Sequence, residues 1–302
     1  IHDNLPAREL LLNEVVDVIN SSSAEKQDIR PLKFLLLNLM PKKLQTEVQF
    51  ARLLGASPLQ IELTLMTTET YIPKNTKKEH LIEFYKTLDD IKHNFYDVLI
   101  ITGAPVETVP FEKVKYWQEL KEIILWSSTN VFRKIGICWG AQALLKILHN
   151  IDKHSMKEKL FGVFDHNLNQ ENQYRLLQGF INSFPMPVSR YTENREHEII
   201  SSGLEILAFS QNSGIGMVRC PKTKDLFILN HLEYDAVTLK EEFLRDKLEN
   251  IQTEIPVNYF PNDDSTKDPI NRWRPYAFLL FTNFINEVYQ DVPFDYVTKN
   301  IT

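Results

Sequence analysis

The segment Gly136-Ile137-Cys138-Trp139-Gly140-Ala141-Gln142 sets a cysteine between two glycines, each two positions away, where an apolar run gives way to helix-forming residues. This is the pattern of a nucleophile elbow with sulfur in place of oxygen: a strand ends at the nucleophile and the chain turns at once into a helix. So tight a turn needs small neighbours, and the glycines supply them. The sulfur then sits at a helix N-terminus, where unpaired N–H groups and the helix dipole favour a thiolate. The Trp139 amide is placed as one oxyanion donor. The opposing reading of Cys138 is a small apolar residue packed at a strand end; the flanking glycines and the strand-to-helix switch favour the nucleophile. Cys220, between Arg219 and Pro221, has no such frame and reads as structural.

A cysteine nucleophile needs a base and a group to orient it. His231-Leu232-Glu233 follows a short apolar run over 225–230, where an imidazole can face the thiol while the carboxylate fixes its tautomer. His166, in Phe164-Asp165-His166, is the nearest rival for the base. His80, His93, His149, His154 and His197 read as surface positions.

The elements around these residues alternate. Residues 33–40 (KFLLLNLM), stopped by Pro41, form an apolar run suited to a strand covered on both faces. Helical spacing follows over 44–54, with Gly55 placed as a C-cap. The pattern continues with a strand at 60–66, a helix at 80–91, a strand at 97–102 (DVLIIT), a helix at 111–127, a strand at 134–138 and a helix at 139–148. Beyond Asn150 the regularity weakens to short strands at 203–209, 214–219 and 225–230. A helix at 237–249, a Pro/Asn/Asp-rich loop at 256–269 and an apolar helix at 276–288 complete the chain. The expected fold is α/β, a mostly parallel sheet sandwiched by helices. Residues 1–302 read as one domain: a core of about 30–250, an N-terminal helix over 7–19 and a C-terminal extension over 251–302. In such sheets ligands bind beyond the carboxyl ends of the strands. Four loops lie there, at 38–43, 102–107, 138–142 and 230–235.

Composition narrows the class. The chain has 302 residues, and 34 Lys+Arg against 40 Asp+Glu leave a formal charge of −6, against a nucleic-acid binder with its basic face. Two cysteines cannot build a disulfide framework or a four-cysteine zinc site, so a reduced interior is expected and no metal site is assigned. Apolar runs such as 34–37 and 98–101 are too short to cross a bilayer, and residues 1–10 carry no basic-then-apolar signal pattern. A soluble, cytoplasmic protein is expected, with no nucleic-acid or membrane partner.

Gly-x-Cys-x-Gly-x-Gln followed at long range by His-x-Glu resembles the class I glutamine amidotransferase-like fold. The whole chain is more specifically similar to the homoserine O-acyltransferase (homoserine trans-succinylase) family of methionine biosynthesis. The carrying segments are DIRPLKFLLLNLMPKK at 28–43, Thr46-Glu47, 77–84, TGAPVE at 102–107, Tyr116-Trp117, ICWGAQA at 137–143, EKLFGV at 158–163, HLEYD at 231–235, NYFP at 258–261 and 281–283. The resemblance implies that Cys138 carries the acyl group as a thioester, His231 is the base and Glu233 orients it. It implies substrate contacts by Lys159, Ser189 and Arg245, of which Lys159 and Arg245 alone read as solvated charges. A guanidinium at Arg245 suits the carboxylate of an amino acid. The implied oxyanion donors are the backbone amides of Trp139 and of the Gly103–Ala104 segment.

Glu107 bears on the donor. The resemblance implies that glycine at this position accompanies succinyl donors and glutamate accompanies acetyl donors. A distal succinyl carboxylate about 4 Å from another carboxylate costs roughly 4 kcal/mol at an effective dielectric near 20. The expectation is a ping-pong homoserine O-acetyltransferase using acetyl-CoA as co-substrate, with no bound cofactor and no metal, and with a homodimer left open. Lys42 and Lys43 read equally as contacts to CoA phosphates or the oxyanion and as a solvated turn. The sequence departs from the family around the base, where Asn230 and Leu232 replace the usual glycine and proline. That keeps L-serine open as an alternative acceptor, and homoserine O-succinyltransferase as an alternative donor preference. A glutaminase and a non-enzymatic binding module are the remaining readings.

Overall fold

Strands whose residues are apolar at successive positions have to be covered on both faces. In the computed structural model of the chain, which describes residues 4–13, 30–70, 76–169, 174–249, 251 and 253–296, β1 (Leu32–Leu37) and β4 (Tyr96–Ile101) meet that need. Phe34 and Leu36 face one core with Val98 and Ile100, whereas Leu35 and Leu37 face a second core with Leu99 and Ile101. The first core is closed by α2 (Lys43–Gly55) and α9 (Arg274–Asp291), where Phe50 meets Phe281 edge-on at 6.2 Å. The second is closed by α5 (Trp117–Asn130) and α6 (Trp139–His149).

Among the described residues ten strands form one sheet, in the order β3-β2-β1-β4-β5-β10-β9-β8-β6-β7. β2 (Ile61–Met66), β5 (Val131–Ile137) and β10 (Leu226–Ile228) join β1 and β4 in a parallel set, with Leu36 beside Ile100, Ile100 beside Ile135, and Ile135 beside Leu226. β9 (Gly214–Arg219) and β8 (Glu205–Ser210), the latter preceded by α7 (Glu196–Ser201), extend it antiparallel, and a long hairpin of β6 (His154–Leu168) and β7 (Ser183–Glu193) closes that side. The sheet is thus mostly parallel at its centre, as the alternation of elements implies.

Several boundaries differ from expectation. The helix expected at 80–91 is broken: α3 (Lys78–Phe84) stops, β3 (Tyr85–Lys86) pairs with Leu65 and Met66, and α4 (Leu88–Ile91) restarts behind a Thr87–Asp90 capping box. The reason is Tyr85, whose ring is buried and whose hydroxyl is drawn to Glu47 and Asn38. Gly55 lies inside α2, with a right-handed cap at Ala56, so its expected C-cap role is not met. A 3-10 turn at Phe111–Lys113 precedes α5, where one continuous helix is expected. The β6–β7 hairpin is absent from the sequence reading. α1 covers Pro6–Asn13, and residues 14–19 of the helix expected over 7–19 lie outside the described residues. No helix among the described residues is long and apolar enough to cross a membrane.

The ends of β4 and α6 meet at Gly140. A Cβ there would lie 2.5 Å from the carbonyl oxygens of both Ile101 and Thr102. Gly140→Ala is therefore expected to cost about 1–3 kcal/mol of stability through overpacking against backbone, read as a lower denaturant midpoint. It should also slow alkylation of Cys138, two residues away.

Candidate active site

β5 ends at Ile137 and α6 begins at Trp139, which leaves Cys138 alone to make the turn, at φ 48° and ψ −116°. A side chain at positive φ costs on the order of 1–3 kcal/mol and needs support from its surroundings. Here the Cys138 amide donates to Ile228 O at 2.7 Å, and the Gln142 amide donates back to Cys138 O at 3.1 Å. Gly136 leaves room for the helix: a Cβ on it would be 2.5 Å from Ala141 Cα. Beneath the turn the Trp139 indole is fully buried among Phe111, Tyr116 and Trp117. With its side chain committed there, Trp139 offers the cleft its amide, the first of a helix and without an intrahelical acceptor.

His231 follows β10, and its amide donates to Pro187 O of β7 at 3.0 Å. Its Nδ1 donates to Glu233 Oε1 at 2.7 Å, while the ring also hydrogen-bonds the Cys138 side chain. All three side chains are buried. Burial works against a charged imidazole, yet the Cys138 thiolate and the Glu233 carboxylate outweigh it and hold the His231 pKa well above its usual value. The ring stacks on Tyr234, with centroids 4.0 Å apart and planes 18° apart. The backbone after β4 closes the other side, since a Cβ on Gly103 would be 3.4 Å from His231 Cε1 and 3.5 Å from Cys138 Cβ. Ala104, the neighbouring expected oxyanion donor, is buried beside it.

The expected substrate contacts gather along α8 (Thr238–Leu248). Ser189 Oγ donates to Glu242 Oε2 at 2.6 Å, and Tyr234 Oη donates to Glu242 Oε1 at 2.7 Å. Lys159 Nζ pairs with Asp246 at 2.7 Å, lies 4.0 Å from Glu242 and sits over the Phe161 ring. Its side chain is 8% exposed, so the solvated-charge reading of Lys159 is overturned. Arg245 also bonds Asp246, at 2.7 Å and 3.0 Å, with its side chain 52% exposed. Burial raises the Asp246 pKa, but Lys159 and Arg245 outweigh it and set the value below the usual carboxylate range. Glu107 lies within the electrostatic reach of His231, Lys159 and Glu242, and burial raises its pKa.

Two other expectations change. Lys42 is exposed and paired with Glu241 at 3.0 Å. Lys43 is buried, donates to Asn38 O and lies over the Tyr85 ring, and burial lowers its pKa to about 8. His80, His149 and His154 are partly buried rather than surface positions, His80 on Glu47 and His154 on Glu198. His166 is fully buried: its Nδ1 donates to Phe164 O, and its Nε2 accepts from Ser213 and Asn230. With its lone pair occupied, it cannot serve as a base. Cys220 is buried, with its amide on Asp225 O, beyond the end of β9 away from Cys138. Among the described residues no cluster of three or more His, Cys, Asp or Glu could hold a metal ion.

Sequence reasoning did not name Glu242, Tyr234 or Asp246. Glu242 precedes Arg245 by three positions on one helix, a spacing that puts them on the same face. That signal was available once Arg245 was named.

The chain is similar to known proteins over nearly its whole length. A family model described as homoserine O-succinyltransferase matches residues 1–294. Proteins named homoserine O-acetyltransferase are similar over nearly the whole length. One from Allorhizobium ampelinum is 49% identical, covering 98% of this chain and 96% of its own. Another, from Clostridium novyi, is 49% identical and covers 98% of both. Among solved structures, a glutamine amidotransferase from Thermotoga maritima superposes with a TM-score of 0.53 at 16% identity, covering 86% of this chain and 99% of its own. That likeness shows a class I glutamine amidotransferase-like fold.

The His231 shift has a pH consequence. A pKa raised in the folded state contributes stability that is full below the unfolded histidine value, about 6.5, and is lost as pH rises through the folded value. The chain should therefore lose Tm on the alkaline side. Glu233→Gln, which lowers the His231 pKa, should shift that loss to lower pH, as thermal melts across a pH series will show.

Proposed function

The chain belongs to the homoserine O-succinyltransferase family and is an acyltransferase; from that premise we propose that it transfers acetyl from acetyl-CoA to L-homoserine through a thioester on Cys138. The observation that carries this reading is the buried line of Cys138, His231 and Glu233 at a strained strand-to-helix turn. Its chemistry is general: a thiolate is the nucleophile, and the imidazole moves protons under the control of a fixed carboxylate.

The Cys138 thiolate attacks the carbonyl carbon of acetyl-CoA, and the oxyanion rests on the amides of Trp139 and of Ala104 or its neighbour Gly103. The C–S bond to CoA breaks, and the CoA sulfur takes the proton carried by His231. The homoserine hydroxyl then gives its proton to His231 and attacks the thioester. The Cys138 thiolate leaves and O-acetylhomoserine is formed. One thioester is exchanged for another in the first half, so stabilising charge and excluding water suffice. No step needs a resident metal or cofactor, and acetyl-CoA is a co-substrate.

An α-amino acid acceptor needs a cation for its carboxylate and an anion for its ammonium. Arg245 has half its side chain exposed and suits the carboxylate, and Glu242, three residues earlier on α8, suits the ammonium. Lys159, 4.0 Å away, and the Ser189 hydroxyl, which donates to it, orient Glu242.

Glu107 favours acetyl. It shares the field of Glu242, Lys159 and His231, so a donor extending toward it with a second carboxylate meets a like charge. The roughly 4 kcal/mol penalty at about 4 Å amounts to close to a thousandfold in rate. This agrees with the relatives named acetyltransferase, against the succinyl donor in the family description. Catalysis is assigned to one unit spanning 1–302, working in the cytoplasm, with a homodimer as an accessible assembly.

The test is kcat/KM for L-homoserine and L-serine, each with acetyl-CoA and succinyl-CoA, in the unaltered chain and in Glu107→Gly. Acetyl-CoA with L-homoserine should be the best pair, and Glu107→Gly should raise succinyl-CoA use by on the order of a hundredfold to a thousandfold. No gain in that variant removes the role of Glu107, and preference for L-serine replaces the acceptor. Donor alone should leave a label of about 42 Da on Cys138; its absence removes the thioester.

A further inference from the structure

Asn230 directly precedes the base and is fully buried. Its Nδ2 donates to His166 Nε2 at 2.9 Å, and its Oδ1 accepts from Arg190 Nε at 3.4 Å. Arg190, on β7, is itself only 3% exposed. Its remaining contacts are Thr192 O at 2.8 Å, Ser213 O and Met156 Sδ at 3.8 Å. Every one of these partners is neutral. The same strand is tied to the nucleophile's helix, where Thr192 Oγ1 donates to Gln142 Oε1 at 3.0 Å. A buried cation without a carboxylate is costly, so a negative charge has to be found nearby.

The charged groups around it are few. Those that act on it are the Cys138 side chain at the elbow and, on β6, the neighbouring ring of His166. β7 adds Glu193, which is exposed, and Cys138 in turn faces His231, whose ring is bonded to Glu233. Burial lowers the His166 pKa to about 4, so that ring stays neutral. Burial also lowers the Arg190 pKa, and attraction to Cys138, then Glu193, works against it. With Cys138 as thiolate and His231 protonated, the Cys138, His231, Glu233 and Arg190 charges cancel.

We propose that Arg190 is a positioning residue: its buried, carboxylate-free guanidinium supplies the second positive charge to the Cys138 thiolate and, once the sulfur is acylated and neutral, drives the proton off His231. This rests on Cys138 being the acyl carrier. Before acylation, two cations face one thiolate and one carboxylate. After it, the thiolate is gone, Glu233 is left to His231, and Arg190 keeps only the exposed Glu193. The imidazolium becomes the stronger acid as the CoA sulfur departs and needs a proton. The neutral ring that remains is the base required by the acceptor hydroxyl. When the thioester breaks, the thiolate returns to the field of Arg190 as a stabilised leaving group. Asn230 helps to hold the guanidinium in place through Oδ1 while His166 fixes its Nδ2.

The first experiment follows iodoacetamide alkylation of Cys138 at pH 7. Arg190→Gln should slow it roughly tenfold or more, since the rate follows the thiolate fraction, and Arg190→Lys should stay within about threefold of the unaltered chain. Equal rates in folded Arg190→Gln and the unaltered chain overturn the proposal, as do equally slow rates in the Gln and Lys variants. Should Arg190→Gln fail to fold, Cys138→Ala, which leaves Arg190 and Glu233 in place with no charge at the sulfur position, decides by NMR titration of His231. The ring should lose its proton at lower pH than in the unaltered chain; a ring that stays protonated as in the unaltered chain overturns the proposal. The acetyl label on the unaltered chain reports separately on Cys138 as carrier, so failure of the mechanism and failure of the Arg190 role are distinct results.

Discussion

The structure depends on one turn. Cys138 occupies a backbone conformation that a residue with a side chain rarely adopts, and it is held there between β5 and α6. Three contacts hold it: a hydrogen bond from its amide to β10, the close approach of Gly140 to the end of β4, and the packing of Ala141 against Gly136. Each of these elements also ends where a loop of the candidate site begins. β4 leads to Glu107, β10 to His231, and α6 itself starts at the sulfur. The strain at Cys138 and the convergence of the loops are therefore one geometric fact, since the parallel register that aligns the strand ends also confines the turn.

Burial then sets the electrostatics. Cys138, His231, Glu233 and Arg190 are all nearly excluded from solvent, where interactions between charges are far stronger than in water. Such a group tolerates charge only when the members cancel, and a change in one is felt by the rest. The outer set along α8 is arranged differently. Asp246 holds both Lys159 and Arg245, while Glu242 takes hydrogen bonds from two hydroxyls and has Lys159 at 4.0 Å. Arg245 keeps half its side chain in solvent, which fits exchange of a small acceptor more than storage of charge.

The central sheet was legible because β1 and β4 hold the apolar runs 34–37 and 98–101 and β5 passes through Ile135-Gly136-Ile137 into the elbow, a signal that depends on local composition alone. The β6–β7 hairpin was not legible. β6 carries Lys157, Glu158, Lys159, Asp165 and Asn167 among its apolar residues, and its partner contains Pro185 and Pro187. Both patterns argue against a strand until long-range pairing is known. The break at Tyr85 is similar: local spacing favours one helix, and a buried hydroxyl contact to Glu47 overrides it. At the site, the elbow and the His-x-Glu pair announced themselves through unusual spacing. Glu242 and Arg190 did not, because a Glu on an amphipathic helix and an Arg in a strand are ordinary until burial and partners are known.

The replacement of glycine and proline around His231 takes on a definite meaning in the fold. Asn230 is wholly committed to Arg190 and His166, and Leu232 is buried in the main core. Neither side chain is free to contact an acceptor. Proline after the base would restrict the backbone; here the His231 amide on Pro187 O and the Leu232 side chain in the core secure it instead. His231 is thus held by β7 and by the core beside it, with its Nδ1 2.7 Å from Glu233 Oε1. Under the proposed function, acceptor choice belongs to the α8 side, where Glu242 and Arg245 would hold the ammonium and the carboxylate. Homoserine and serine differ by one methylene between those anchors and the hydroxyl, worth only about 1–3 kcal/mol in a pocket. On that reading discrimination would come from the distance between Arg245 and Cys138, because the shorter alcohol would have to span the same gap to reach an acyl group on the sulfur.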